Sequence, residues 1–347
     1  MLGMEVEAAL RDQVKRAVGQ KASAGQISRL KGDASSRSYY RVGEPPQSHV
    51  VMVMPPDASK SEEVSKEPAP AELPFLNVQR YLKRLGARVP EIVSYDPAAR
   101  MMVLEDLGDL TMEKALQTGG ERESLYASAV DLLARLRASA ERHPDPRCVA
   151  FSRAFDEDLY LWELHHFREW GMEAWSGQQV PASEQAELNR IFHRFSSQLA
   201  AEPRGFTLRD YQSRNLMLKS GELVMIDFQD ALLGPRHYDL VSLLRDSYVE
   251  LDWPFVDRMI DRYLAAFQRE SGEVIPPAPF RRLFDLLTVQ RKLKDAARFE
   301  YIYRVKKNSS FLISIPASLR YVASAFERLP ELSDLRRVAA RYVPALA

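Results

Sequence analysis

The stretch FTLRDYQSRNLMLKSGELVMIDFQDALLGPRHYDL, residues 206–240, constrains this chain more than any other. It holds two short apolar runs, Leu216–Leu218 and Leu223–Ile226, separated by the turn Lys219–Glu222. Runs of this length around so short a connection predict a tightly paired β-hairpin. Asn215 opens the first strand and Asp227 leaves the second, so pairing brings the two side chains together. Asp210 ends a short strand or loop five residues before Asn215. Taken singly, Asp and Asn are ordinary turn residues. Taken together, they place three oxygen-bearing side chains at one edge of one hairpin.

Such a group has a definite chemistry. Magnesium prefers hard oxygen ligands and keeps water and phosphate oxygens in its shell, so Asn215 and Asp227 suffice as its protein ligands. Asp210 would lie beside them, free to accept or orient the proton of a hydroxyl nucleophile. One aspartate at the acceptor, with an asparagine and a second aspartate on the metal, is the division of labour in phosphoryl transfer from ATP.

The rest of the chain is compatible with that reading. Its 347 residues suffice for one large domain or two lobes. Lys+Arg and Asp+Glu both number 48, so no net charge draws it to nucleic acid or to an anionic membrane. Cys148 is the only cysteine, which excludes an internal disulfide and favours a reducing compartment. The opening residues lack the apolar core of a signal peptide, and no run approaches the roughly 20 apolar residues of a membrane span. The expectation is a soluble, cytoplasmic protein with no nucleic-acid or membrane partner; the oligomeric state is not legible.

Apolar spacing places a helix over residues 5–20, with Val6, Leu10, Val14, Ala17 and Val18 on one face. Tyr39–Val42 and His49–Met54 read as paired strands after a small-residue loop, Gly32–Ser38. Residues 55–74 are rich in Pro, Ser, Lys and Glu and read as a mobile loop. A helix over 75–86 and two strands in VPEIVSYD and MMVLEDLG follow. Beyond Gly108 the pattern is helical: Glu121–Ala140, 153–176, 184–200 and most of the chain after Tyr238. This predicts an α+β architecture, with a small β-rich N-terminal lobe over 1–107 and a large helical C-terminal lobe over 108–347.

L-R-D-x-x-x-x-N followed by an apolar strand and I-D-F fits the catalytic-loop and metal-aspartate elements of protein-kinase-like enzymes. Together with GDASSRSYYRV, VLEDLGDLT at 103–111, IDFQDALLGPRHYDLVSLLRD at 226–246 and QRKLK at 290–294, the chain resembles the aminoglycoside phosphotransferase superfamily of small-molecule kinases. Within it the likeness is to the bacterial anomeric kinases of N-acetylmuramate and N-acetylglucosamine. The resemblance implies a bilobal protein-kinase-like fold with a small antiparallel-sheet N-lobe, ATP and Mg2+ as cofactors, and a small sugar as partner. It makes Asp210 the catalytic aspartate and Asn215 and Asp227 the metal ligands. Asp239 would start a buried helix and brace the catalytic loop, a role suited to an N-capping carboxylate. Glu105–Leu107 would be the connector whose backbone reads adenine, with the Glu105 and Leu107 side chains secondary.

The chain departs from common kinase patterns in three places. Leu208 replaces a largely packing histidine, and Gln212 stands beside Asp210 where the sugar kinases often carry histidine. The strand HVVMVM lacks the lysine that usually meets the α- and β-phosphates. Ser35, Ser36 and Arg37 are the available substitutes, through backbone N–H groups, hydroxyls and one guanidinium; for Arg37 a surface turn is an equal reading. Glu163 and Trp170, on an aromatic helix, are sugar-binding candidates against the alternative of core packing. His165 and His166 are adjacent and point apart, so a structural role outweighs metal binding. Arg245 either pairs with Asp246 or lines the acceptor site. Arg291, Lys292 and Lys294 either coat a helix or meet an acidic group on the substrate.

The expected reaction is transfer of the γ-phosphoryl group of ATP to a sugar hydroxyl. Phosphorylation of another small alcohol or of an aminoglycoside is the alternative within the enzyme class. A nucleotide-binding regulator without turnover, motivated by Leu208 and the missing lysine, is the alternative outside it.

Overall fold

A computed structural model describes residues 4–19, 25–30, 37–56 and 72–347. Ser35, Ser36 and residues 57–71 of the polar run lie outside them. Helix α1 (Met4–Val18) precedes strands β1 (Ile27–Arg29), β2 (Ser38–Val42) and β3 (His49–Val53). Helix α2 (Pro74–Arg84) is followed by β4 (Ile92–Asp96) and β5 (Met101–Glu105). These five strands form one antiparallel sheet in the order β1-β2-β3-β5-β4. Val42, Val51 and Val103 from its strands pack with Leu10 and Val14 of α1, as the alternation and the helical spacing predict. Phe75, Val78, Tyr81 and Leu82 make the buried stripe of α2, whose first turn starts on Pro74.

From Asp106 the chain leaves the sheet. Helices α3 (Met112–Gln117), α4 (Arg122–Arg142), α5 (Glu157–His166) and α6 (Ala182–Ala200) come first. Strands β6 (Arg204–Thr207), β7 (Leu216–Lys219), β8 (Glu222–Met225) and β9 (Leu232–Pro235) follow, then α7 (Tyr238–Leu244), α8 (Trp253–Ser271), α9 (Pro277–Lys306), α10 (Ile315–Phe326) and α11 (Ser333–Tyr342). β7 and β8 form the expected hairpin, with Leu216 opposite Met225 and Lys219 opposite Glu222. Its two turn residues, Ser220 and Gly221, both have positive φ, as a twisted two-residue hairpin requires. β6 pairs with β9, a short strand the sequence reading did not resolve.

The helix expected over 153–176 changes pitch midway. After His166 it widens into a π-helical stretch, Phe167–Glu173. Gly171 permits this: a Cβ there would meet the Phe167 ring at 2.3 Å. Helix α9 is 30 residues long and buried on almost every face, including Gln290, Arg291, Lys292, Lys294 and Asp295. A helix enclosed all round must satisfy its charges inside the protein, and that requirement brings α9 into the site. Among the described residues no helix is long and apolar enough to cross a membrane.

Candidate active site

The loop between β6 and β7 carries Asp210. Its backbone is held in a conformation its sequence does not favour: Arg209 has φ 75°, unusual for a residue with a Cβ. Asp239 stabilises it. Its two carboxylate oxygens accept the backbone N–H groups of Leu208 at 2.8 Å and Arg209 at 2.9 Å. The expected bracing role is therefore present, but not as an N-cap: His237 occupies the cap position of α7, and Asp239 reaches across to the loop. Burial pushes the Asp239 carboxyl up to about 6, with the two N–H donors pulling the other way. Leu208 is buried in the core, consistent with a packing role.

Other contacts close around the same loop. Ser242 Oγ donates to the Arg209 carbonyl at 3.1 Å, and Arg291 Nη1 donates to it at 2.9 Å. The Arg209 guanidinium meets the Glu163 carboxylate at 3.3 Å, and the Gln290 amide donates to the other Glu163 oxygen. The Tyr211 hydroxyl donates to Ala129 O at 2.8 Å. Asp246 accepts both the backbone N–H (2.8 Å) and the hydroxyl (2.5 Å) of Ser213.

Asn215 lies between the two aspartates. Its Nδ2 donates to Asp210 O at 2.9 Å and lies 3.5 Å from Asp227 Oδ2. This leaves Asn215 Oδ1 as a ligand oxygen. Asp227 also has positive φ, 60°, and is exposed. Gln229 donates to Asp227 Oδ1 at 2.8 Å. The dense surroundings first, then repulsion from Asp210 and Asp230, push the Asp227 carboxyl up to about 6, against Gln229 and Arg37, which lower it. No three acidic, histidine or cysteine side chains form a metal cage among the described residues. One carboxylate and one amide oxygen nonetheless fit Mg2+, which takes most of its shell from phosphate and water.

On the sheet side, Arg37 hydrogen-bonds the Tyr39 hydroxyl, and its charge reaches Asp227. Burial pushes Tyr39 up to about 12. At the connector, Glu105 takes hydrogen bonds from Arg88 (2.5 Å) and Lys219 (2.8 Å). Burial alone would raise its carboxyl, but these two cations prevail and hold it at about 2. Lys219 Nζ also donates to Asp106 O at 2.7 Å, so the hairpin occupies one connector carbonyl itself. Leu107 is half-buried, and Gln212 is half-buried beside Asp210, its backbone N–H donating to Asp210 O at 3.0 Å.

Several sequence expectations change. Glu163 is fully buried and serves Arg209 and Gln290, so it is not a sugar ligand. Arg245 is 1% exposed, with its guanidinium 3.4 Å over Trp253 and 5.1 Å from Tyr321. It neither pairs with Asp246 nor opens to an acceptor; burial lowers it to about 10. Arg291, Lys292 and Lys294 do not coat a surface, being 1%, 1% and 6% exposed. Arg291 Nη2 instead meets Asp210 Oδ1 at 3.1 Å, and Lys292 and Lys294 meet Asp295 at 2.7 and 3.1 Å. Trp170 stays half-buried on the π turn, edge-on to Tyr301 at 5.2 Å. His165 and His166 pack against aromatic rings, as the structural reading expected. The Asp210–Arg291 pair was missed because it joins residues 81 apart in sequence. Its only trace is a run of charges, RKLKD, inside an otherwise apolar helix.

A loop braced by Asp239 and a hairpin that brings Asn215 beside Asp227 fit a small-molecule kinase of the protein-kinase-like class. Residues 26–275 match the family described as Phosphotransferase enzyme family, and the chain belongs to it. It is 32% identical over 309 residues to an N-acetylmuramate/N-acetylglucosamine kinase of Neisseria meningitidis serogroup B, covering 87% of this chain and 86% of that one. A Pseudomonas aeruginosa protein of the same name is 32% identical over 305 residues, covering 87% and 84%. In fold, an ADP-bound aminoglycoside phosphotransferase matches 94% of this chain and 99% of its own with a TM-score of 0.60 at 18% identity. The chain is thus a phosphotransferase acting on a hydroxyl group.

Proposed function

We propose that this protein transfers the γ-phosphoryl group of ATP to the anomeric hydroxyl of an N-acetylated amino sugar, N-acetylmuramate or N-acetylglucosamine. The observation that carries the mechanism is the convergence of Asp210, Asn215 and Asp227 around one amide. The observation that carries the substrate is the shared name of the relatives that span most of the chain.

Asn215 Oδ1 and Asp227 would hold Mg2+, which when bound neutralises charge on the transferring phosphates. Arg37 would grip phosphate oxygens from the sheet side, and the Glu105–Leu107 backbone would seat the base. Gln212 and Trp170 would border the sugar, by hydrogen bonding and by ring stacking. Asp210 takes the proton of the sugar hydroxyl as its oxygen bonds to the γ-phosphorus. The bond to the β–γ bridging oxygen breaks, and ADP leaves with that electron pair. The residues 1–107 and 108–347 would act as nucleotide-side and acceptor-side lobes.

The test is ATP consumption at saturating magnesium over N-acetylmuramate, N-acetylglucosamine and a set of aminoglycosides. Turnover on the amino sugars that is absent on aminoglycosides is expected. Turnover on aminoglycosides alone would overturn the substrate. ATP-dependent thermal stabilisation without turnover on any acceptor would point to a nucleotide-binding regulator.

A further inference from the structure

Arg291 is 1% exposed and in contact with Asp210, and no role in phosphoryl transfer has yet been assigned to it. It projects from α9, and its planar fork makes two bonds at once. Nη2 donates to Asp210 Oδ1 at 3.1 Å, and Nη1 donates to the carbonyl of Arg209, one residue earlier, at 2.9 Å. One group therefore fixes both the carboxylate and the peptide that carries it. A lysine ammonium, a single point of charge, cannot hold both directions in one plane.

The charges around Arg291 leave it available for this purpose. Asp295 lies 3.7 Å from its Nε, but Asp295 is already engaged by Lys292 at 2.7 Å and Lys294 at 3.1 Å. Tyr238 lies under the guanidinium, whose carbon is 5.1 Å from the ring centre. Asp227 lies near enough that its like charge repels Asp210. A carboxylate repelled by a neighbour and not otherwise held would rotate away from it. With Oδ1 drawn onto Arg291, Oδ2 is the oxygen left to face an acceptor hydroxyl.

We propose that Arg291 is a positioning residue for phosphoryl transfer, holding the Asp210 carboxylate in one orientation against repulsion from Asp227 so that Oδ2 receives the acceptor proton. This rests on the reading of Asp210 as the proton acceptor. Positioning of this kind affects the chemical step and leaves nucleotide and sugar binding largely alone.

The experiment is a double-mutant cycle on the full chain with ATP, magnesium and the best amino sugar. Arg291→Lys keeps the charge and loses the fork. It should lower kcat about thirtyfold while the KM for ATP and for sugar each move less than about threefold. In an Asp210→Asn background the same substitution should lower the residual turnover by less than about twofold, because the group it positions is gone. Calorimetric ATP affinity and melting temperature are read for every variant, and Arg291→Gln serves as the second variant should the lysine form melt early. A kcat for Arg291→Lys within about twofold of wild type would overturn the proposal. So would an equal loss in both backgrounds, the mark of a brace acting on the whole loop. If Asp210→Asn alone keeps wild-type turnover, the reading of Asp210 fails first; if it loses turnover while Arg291→Lys does not, only the present inference fails.

Discussion

Asp210 sits on a loop gripped from four helices: Tyr211 reaches α4, Arg209 reaches Glu163 of α5, Asp239 and Ser242 come from α7, and Arg291 comes from α9. Asp227, at the end of β8, is met by Gln229 and, at 3.5 Å, by Asn215. The first aspartate is held before any ligand arrives. The second has fewer partners, and its carboxyl is raised. With Asp210 as the proposed proton acceptor and Asp227 as the proposed metal ligand, rigidity lies where a proton would move along a set direction, and incompleteness where binding would supply the missing charge.

The largest expected effect tests the rigid side. Asp210→Asn removes the proton acceptor and leaves Asn215 and Asp227 in place. Turnover should fall by about a hundredfold or more while calorimetric ATP affinity stays within a few-fold. Loss of both together would move Asp210 into the metal shell and erase the contrast.

Next comes the brace behind that loop. Asp239→Ala strands two buried N–H donors and frees the positive-φ Arg209. It should cost about 2 kcal/mol in denaturant unfolding and lower kcat between about tenfold and a hundredfold. An unfolding midpoint equal to wild type would show that the other contacts hold the loop without it.

The sheet side should respond differently. Arg37→Ala is expected to raise the KM for ATP by about tenfold, one lost charge-assisted contact, with the KM for sugar and the melting temperature unchanged. An unchanged ATP dependence would return Arg37 to a surface turn.

The smallest effect sharpens the comparison most. In the ligand-free protein Asp227 sits at about 6 against an ordinary 3.8. Below 3.8 the group is protonated in both folded and unfolded chains and costs nothing. As pH rises from 3.8 to 6 the native state is increasingly penalised, and above 6 the whole penalty remains. Asp227→Asn should therefore melt higher than wild type at neutral pH without metal, by about 2 °C once the open face of the carboxylate is allowed for. The gain should vanish near pH 4, and magnesium with ATP should stabilise wild type and not the variant. A lower melting point at neutral pH would mean that Asp227 already has its partners.

What the sequence determined by itself is local. The hairpin followed from two apolar runs and a short turn, so Asn215 and Asp227 could be paired on paper. Four of the five strands of the sheet, helices α2 and α4, and the loop that carries Asp210 were legible for the same reason: period and spacing act over a few residues. The tertiary structure alone decided what surrounds them. Glu163, read as a sugar-binding candidate or core packing, is a buried support for Arg209; Arg245, read as a partner of Asp246 or a lining of the acceptor site, is a cation stacked on Trp253. Arg291 looked like a surface charge and reached Asp210 across 81 residues. A charged side chain announces its chemistry in sequence, but its partner depends on which helix face is enclosed. For α9, enclosed on almost every side, only the packing of the whole chain settles that.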